Sequence, residues 1–420
     1  MKHMFAKFHE KSMEDRKAAV FSFSQLNEEA KSLYCNAEYD QLSDQLVENA
    51  IGVMEIPLGV AVNFVVNQVE RVIPMATEES SVIAAASHGA KLARPLGGFH
   101  AQVDGSYMFS QIHIIHLQDP YAAKVRILHH RDELIQLANQ EDPILKQLGG
   151  GAYDITVRAL EDPSSLVVHL HVDTLDAMGA NAANTMAEKI APRIEDITNG
   201  EARMKIISNL ADRRIARAYC EVQQEQLGGA DVVDRIVQAC DIAKRDPYRA
   251  ATHNKGIMNG ITPIVLATGN DTRAVESGAH AYASKNQHYS PLTKWEKNSR
   301  GNLVGSIEVP IAVGTIGGAT AIHPKAKSNL ELMQINSAKE LSEVIASVGL
   351  AQNLTALKAL ATEGIQKGHM KLHAKNIALM AGAKGDEIAR IATLLLKDKK
   401  YRVDVAKHHL KTLRGEKAYE

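Results

Sequence analysis

The chain has 420 residues, 45% of them hydrophobic and 23% charged, which is enough apolar material for substantial cores and too much length for one ordinary core. With 48 basic and 49 acidic residues the formal charge is −1, so composition gives no electrostatic basis for a nucleic-acid or membrane-surface partner. Cys35, Cys220 and Cys240 are odd in number and lack CxxC spacing, which argues against a disulfide framework and a thiolate metal site and for a reducing, cytoplasmic compartment.

The opening residues MKHMFAKFHEKSMEDRK carry charge throughout and have no apolar run of the kind that directs secretion. Charge-free stretches such as 309–324 are Gly-rich and shorter than the ~20 residues that span a bilayer, so a soluble protein is expected. Residues 28–55 read mainly as helix, with Leu33, Leu42, Leu46 and Ile51 spaced to face a core until Pro57-Leu58-Gly59 breaks the pattern. A short apolar strand at 60–66 follows. The Ala-rich run 80–92 predicts a helix whose first serines can satisfy free amides, with Glu78 and Glu79 placed where acids favour the helix dipole.

From about Gly105 the texture turns to β-type runs at 112–115 and 166–172, interrupted by a helix over 122–139 and followed by one over 181–190. This α+β module closes near 205–209, which places an inserted domain at 106–209. Helices dominate again afterwards. Residues 256–325 are Gly-rich but patterned, as suits tight backbone turns around a ligand. An amphipathic helix is expected over 337–360 and an N-capped helix over 386–396, before the charged KDKKYR run.

No GxGxxG occurs, so a nicotinamide site must be built without the usual Rossmann fingerprint. Asp176-Ala177-Met178-Gly179-Ala180-Asn181 joins a strand to a helix. Its small residues would let a pyrophosphate reach the helix-start amides, although an ordinary strand-to-helix turn has the same composition. His369 and His373 share a helical face at a zinc-compatible spacing, but no HExxH or third ligand accompanies them, which leaves acid–base work or a plain histidine open. Lys255 in THNKGIMNG and Asp271 in ATGNDTRAVE sit among glycines and small polar residues; taken singly, either also reads as solvated surface.

The ordered set is more specific than its members. ENAIG at 48–52, PLGVA at 57–61, PMATEE at 74–79, DAMGAN at 176–181, HNKGIMNG at 253–260, TGND at 268–271, GTIGGAT at 314–320 and GHM at 368–370 resemble, in that order, the signatures of the hydroxymethylglutaryl-CoA (HMG-CoA) reductases, closest to their short soluble class. Ala50 stands where that pattern usually has Val, and Ser80 where it often has Pro; neither exchange removes a reacting group.

The resemblance implies an α+β multidomain fold: a large α-rich domain that binds HMG-CoA and dimerises (1–105 and 210–365), an inserted ferredoxin-like α+β domain that binds the dinucleotide (106–209), and a C-terminal helical flap (366–420). It implies Glu79, Lys255, Asp271 and His369 as catalytic residues, with Asp271 hydrogen-bonded to Lys255 and raising the proton affinity of Glu79. Ser81, Arg249 and Asn259 are implied around the HMG group, and DAMGAN with Asp142 at the dinucleotide. Asp142 matches an acidic position beside the adenosine ribose and tilts the expectation to NADH over NADPH. The implied activity interconverts HMG-CoA with mevalonate and CoA in a cytoplasmic homodimer, with no metal, nucleic acid or membrane. The rival readings are a metal-dependent CoA thioester hydrolase using His369 and His373, and an inactive CoA-binding homologue.

Overall fold

The computed structural model describes residues 5–24, 26–35, 37–160, 164–362, 364 and 374–415. Its first strands, β1 (Leu58–Val66) and β2 (Val69–Ala76), form a hairpin whose turn residues Asn67 and Gln68 have φ of 50° and 68°. Two positive φ values make the mirror-image turn that follows the natural strand twist. The Asn67 amide then continues the sheet: it accepts from Ala101 N at 2.8 Å and donates to Ala101 O at 2.9 Å, tying the hairpin to β3 (Phe99–Val103).

With β8 (Ile215–Val222), β9 (Thr293–Lys297) and β10 (Leu303–Pro310) these strands make a six-stranded sheet of order β2-β1-β3-β8-β10-β9. All pairs are antiparallel except the single Val66–Phe99 contact between β1 and β3. The helix Ala338–Ala361 packs on this sheet and on the helices Val82–Ala93, Ala230–Arg245 and Pro247–Ala267. Glycines permit the close approach. A Cβ on Gly89 would run into the carbonyl of Ala351, and one on Gly260 would come within 3.0 Å of the Val348 oxygen.

Between β3 and β8 the chain builds β4 (Tyr107–Ile115), β5 (Gly151–Ala159), β6 (Leu166–Asp173) and β7 (Glu201–Ile207), an antiparallel sheet of order β5-β6-β4-β7. Helices Pro120–His129 and Arg131–Asn139 lie between β4 and β5, and Ala180–Thr198 between β6 and β7. This βαββαβ connectivity is ferredoxin-like. Its core follows from two periods: alternate residues Leu166, Val168, Leu170 and Val172 of β6 join Ala183, Met186, Ile190 and Ile194 on one face of the last helix. At the C-terminal end, helices Asp386–Asp398 and Val403–Arg414 share a small core around Ile377, Ile391, Leu395 and Leu410.

Several local expectations change. Residues 28–55 form two short helices, Glu28–Ser32 and Ala37–Leu46, and Leu33, expected in a core, is 80% exposed in the break between them. The 122–139 helix is two helices meeting at His130, whose φ/ψ of −93°/14° ends one and begins the next. The helix expected to be amphipathic over 337–360 is buried on nearly every side, because it is a core element and has no solvent face to mark. Ser337 caps it, accepting from Glu340 N at 3.2 Å. Asp386 begins its helix without capping it; Gly385, at φ 54°, occupies that place.

Gly89 gives a test of this packing. Alanine is favoured over glycine in a helix by about 1 kcal/mol, whereas overpacking a filled site costs about 1–3 kcal/mol. Since the obstacle at Gly89 is backbone, Gly89→Ala is expected to lower the midpoint of thermal or urea unfolding; an unchanged or higher midpoint would refute the close contact.

Candidate active site

The helix Pro247–Ala267 begins with Asp246, whose carboxylate accepts from Tyr248 N at 3.0 Å. Its rotation is fixed from beneath. His253, 1% exposed, places Nε2 2.6 Å from Thr293 Oγ1; Asn254 accepts from Leu292 N at 3.0 Å and donates to Ser290 O at 2.9 Å. Burial, reinforced by the Arg249 charge one turn earlier, pushes the His253 imidazole down to about 3, so it is neutral near neutral pH. With 253, 254, 257, 261 and 264 turned inward, positions 255, 258, 259 and 262 face a cavity of about 240 Å³.

Across that cavity the chain leaves β2 through Thr77-Glu78-Glu79. Thr77 N donates to Pro57 O at 3.0 Å and Glu79 N to Thr77 Oγ1 at 3.2 Å, which holds the loop against the start of β1. The Lys255 ammonium donates to Glu79 Oε2 at 3.2 Å. Both side chains keep substantial solvent contact, so the pair is available to a ligand and adds little to stability. Asn259 lines the same cavity, as do Thr262, Glu276 and His280. Thr262 Oγ1 donates to Glu276 Oε1 at 2.5 Å, and His280 Nε2 lies 3.2 Å from Glu276 Oε2. Sequence reasoning passed over these three, although Glu276 and His280 stand four apart just after TGND, a spacing that puts them on one helix face.

Asp271 is not hydrogen-bonded to Lys255, contrary to expectation. It caps the helix Thr272–Ala283, accepting from Arg273 N at 2.9 Å and Ala274 N at 3.1 Å, and pairs with Arg273 Nε at 3.1 Å. Burial alone would raise its carboxyl, but these donors and the Arg273 charge outweigh it and hold the group below the usual carboxylate range. An N-terminal position explains the preference: the helix amides need an acceptor, and Asp271 is the nearest one.

Ser81 precedes the helix Val82–Ala93 in the left-handed region, φ 74°, and its side chain makes no cap bond, so the expected serine cap is absent and the hydroxyl is not spent there. Arg249 is half-buried with no ion pair among the described residues, and desolvation lowers its pKa. Neither lines the 240 Å³ cavity. His369 and His373 lie outside the described residues.

The segment 176–181 ends in an uncapped helix start. Gly179, φ 94°, precedes Ala180–Thr198, which has no side-chain cap and no acid in its first turn. A Cβ on Gly179 would collide with the Thr174 methyl. Asp176 turns away: its Oδ1 accepts from Ala338 N at 2.8 Å, at the start of the buried core helix. Arg214, also passed over in the sequence, donates to the carbonyls of Ala177 and Met178 from beneath. Nothing in the ADRRIA stretch separates it from its exposed neighbour Arg213. Asp142 caps the short helix Pro143–Gln147, accepting from Leu145 N at 2.8 Å. Gly150 sits between Leu145 and Leu175, so that short helix borders the turn leading into 176–181.

Residues 12–374 match the family model described as hydroxymethylglutaryl-coenzyme A reductase. A 3-hydroxy-3-methylglutaryl-coenzyme A reductase from Archaeoglobus fulgidus is 50% identical over 411 residues, 97% of this chain and 94% of that protein. A probable enzyme of the same name from Borreliella burgdorferi is 35% identical over 378 residues, 88% of this chain and 85% of its own. Among solved structures, the class II reductase from Streptococcus pneumoniae, bound to NADPH in open conformations, superposes with a TM-score of 0.76 at 40% identity, covering 96% of this chain and 100% of that one. The chain therefore belongs to the hydroxymethylglutaryl-coenzyme A reductase family, and it is an oxidoreductase of that family's kind.

Proposed function

We propose that the cleft between Glu79 and Lys255 is where this reductase interconverts HMG-CoA with mevalonate and CoA. The observation that carries the assignment is the 3.2 Å contact of Lys255 Nζ with Glu79 Oε2 in a cavity that Asn259 also lines. Each reduction puts negative charge on a carbonyl oxygen, and an ammonium already placed in the cleft can stabilise it without reorganising. Lys255 takes that role, and Glu79 beside it delivers the proton to the oxygen. Asp271, held ionised at its helix start, contributes a fixed negative charge, and His369 of the flap protonates the departing CoA thiolate, a step suited to an imidazolium. Ser81, Arg249 and Asn259 hold the HMG group. Among the described residues Arg249 has no ion-pair partner, and its guanidinium can fork onto a carboxylate. The relatives are reductases, and nothing in them favours a thioester hydrolase.

The cofactor is a nicotinamide dinucleotide, in keeping with the NADPH held by the Streptococcus pneumoniae enzyme. The segment 176–181 fits it: the uncapped start of Ala180–Thr198 offers free amides beside small side chains, with no carboxylate in the first turn to repel phosphate. When bound there, the reduced nicotinamide supplies the hydride for each of the two reductions. Asp142 spends one oxygen on Leu145 N and keeps the other for a ribose 2′-hydroxyl, which favours NADH because a 2′-phosphate would be repelled.

Residues 1–105 and 210–365 form the substrate and dimerisation domain, 106–209 the dinucleotide domain and 366–420 the flap, whose closure excludes water. The protein works as a cytoplasmic homodimer. Among the described residues one helix, Ala338–Ala361, is long and apolar enough to cross a membrane, but 67% of its apolar window is buried inside the protein, as in a core helix.

Lys255→Ala is expected to lower kcat at least about 100-fold with HMG-CoA and with free mevaldehyde alike, the scale of losing an oxyanion donor. His369→Gln should spare mevaldehyde reduction, which releases no thiolate; equal losses in both assays would contradict its role. Steady-state rates measured side by side should show a higher kcat/KM with NADH than with NADPH, and Asp142→Ala should shrink that ratio. A ratio favouring NADPH, or one unmoved by the substitution, would remove Asp142 from the choice.

A further inference from the structure

Arg214 is 1% exposed, and among the described residues no carboxylate hydrogen-bonds to it. Its Nη1 donates to Thr174 Oγ1 at 3.1 Å, Ala177 O at 3.2 Å and Met178 O at 3.3 Å, and its Nη2 donates to Val313 O. Burial pulls its pKa down to about 10 against the charges of Asp173 and Asp176, so it remains a cation. A buried cation whose hydrogen bonds all go to neutral acceptors is a costly way to fill space, since an apolar side chain of similar volume needs no desolvation. What it provides is directional: a planar fork that grips two chain segments at once.

Those segments carry the chemistry. On one side is the turn 174–178, entered through Leu175 at φ 50° and leading directly to the dinucleotide segment. On the other is the loop 313–316. Thr315 N donates to Asp176 O at 2.9 Å, Ala177 bridges Ile316, and a Cβ on Gly314 would come within 2.6 Å of Met178 N. Gly314 is held in turn by the side chain of Asn270, accepting from its Nδ2 at 3.0 Å and donating to its Oδ1 at 2.7 Å. Asn270 is the residue before Asp271. A continuous set of hydrogen bonds therefore runs from Arg214 through the turn and the loop to Asn270, the chain neighbour of Asp271.

We propose that Arg214 is a positioning residue for hydride transfer: it locks the 174–178 turn to the 313–316 loop and so holds the cofactor segment in fixed register with Asp271 and Lys255. The inference rests on 176–181 being the dinucleotide segment. It differs from simple folding support because its loss falls on one partner of the reaction. Loosening the turn weakens dinucleotide binding and misplaces the hydride donor, and an error of about 1 Å at a reacting atom can cost about 100-fold in rate.

The test compares Arg214→Met and Arg214→Lys with the unsubstituted enzyme. The readouts are KM for the reduced dinucleotide, KM for HMG-CoA, and the isotope effect from deuterium at nicotinamide C4 during mevaldehyde reduction. In the methionine variant the dinucleotide KM should rise about tenfold or more while the HMG-CoA KM stays within about threefold, and the isotope effect on kcat should grow because a misplaced donor makes hydride transfer the slow step. Lysine, with the charge but not the fork, should recover only part of the loss. If the methionine variant does not fold, the lysine variant is judged on the same three readouts. Parallel rises in both KM values, or an isotope effect and dinucleotide KM both unchanged, would overturn the proposal. Asn181→Trp, at an exposed position in the first helical turn, separates the two failures. If it leaves the dinucleotide KM unchanged, the cofactor segment lies elsewhere and the Arg214 proposal falls with it. If it raises that KM while the Arg214 variants do not, the segment stands and Arg214 alone is refuted.

Discussion

A helix without a polar face must be covered all round, and Ala338–Ala361 imposes that demand on the whole large domain. The six-stranded sheet covers one side and three helices cover the rest, with Gly89 and Gly260 where helix backbones approach closely and Gly349 against the Ile261 side chain. The polar atoms drawn into this interior are used to fix register. Asn353, 1% exposed, accepts from Thr293 Oγ1 at 3.0 Å and from Trp295 Nε1 at 2.8 Å, so β9 cannot slide along the helix without leaving buried donors unpaired. The first amide of the helix goes to Asp176, a residue of the inserted module. The core helix thereby starts on the turn that precedes Ala180–Thr198 in the inserted module.

The cleft inherits its geometry from the same constraint. Once Pro247–Ala267 is docked on the core helix, its inward face is set by His253, Asn254 and the isoleucines, and Lys255 has one direction left to point. The state of His253 matters here too. A protonated imidazole two residues from Lys255 would repel the ammonium, and burial removes that competitor by keeping the ring neutral. The lysine's charge therefore meets Glu79 with no imidazolium at position 253 beneath it.

Much of this was legible in the chain. The β-type runs, the helices around them and the ordered motifs pointed to an α+β multidomain fold and a nicotinamide-dependent reductase, and the partnership of Glu79 and Lys255 matches their adjacency in space. What escaped was decided by competition between local partners, which spacing does not reveal. Asp271 carries the right chemistry for a lysine partner, yet two helix amides and the next arginine lie closer to it. Ser81 has the right type for a cap but adopts a backbone that turns it away. Leu33 fits a helical stripe that the chain interrupts before it can be used. Arg214 was invisible for the opposite reason: burial and four acceptors distinguish it from Arg213, and both are properties of the fold alone.

These local outcomes bear on how acid and base work is divided. A carboxylate that accepts from two amides and a guanidinium is stabilised as the anion, so Asp271 is poorly suited to give up a proton at the alkoxide and well suited to remain a fixed charge. Glu79 stands differently. Among the described bonds its carboxylate meets only the Lys255 ammonium, a flexible donor that can swing from the carboxylate to a developing oxyanion. Under the proposed assignment the division follows from these partners: Asp271 is committed to its helix start, and the more mobile Lys255–Glu79 pair is the one left to meet the substrate.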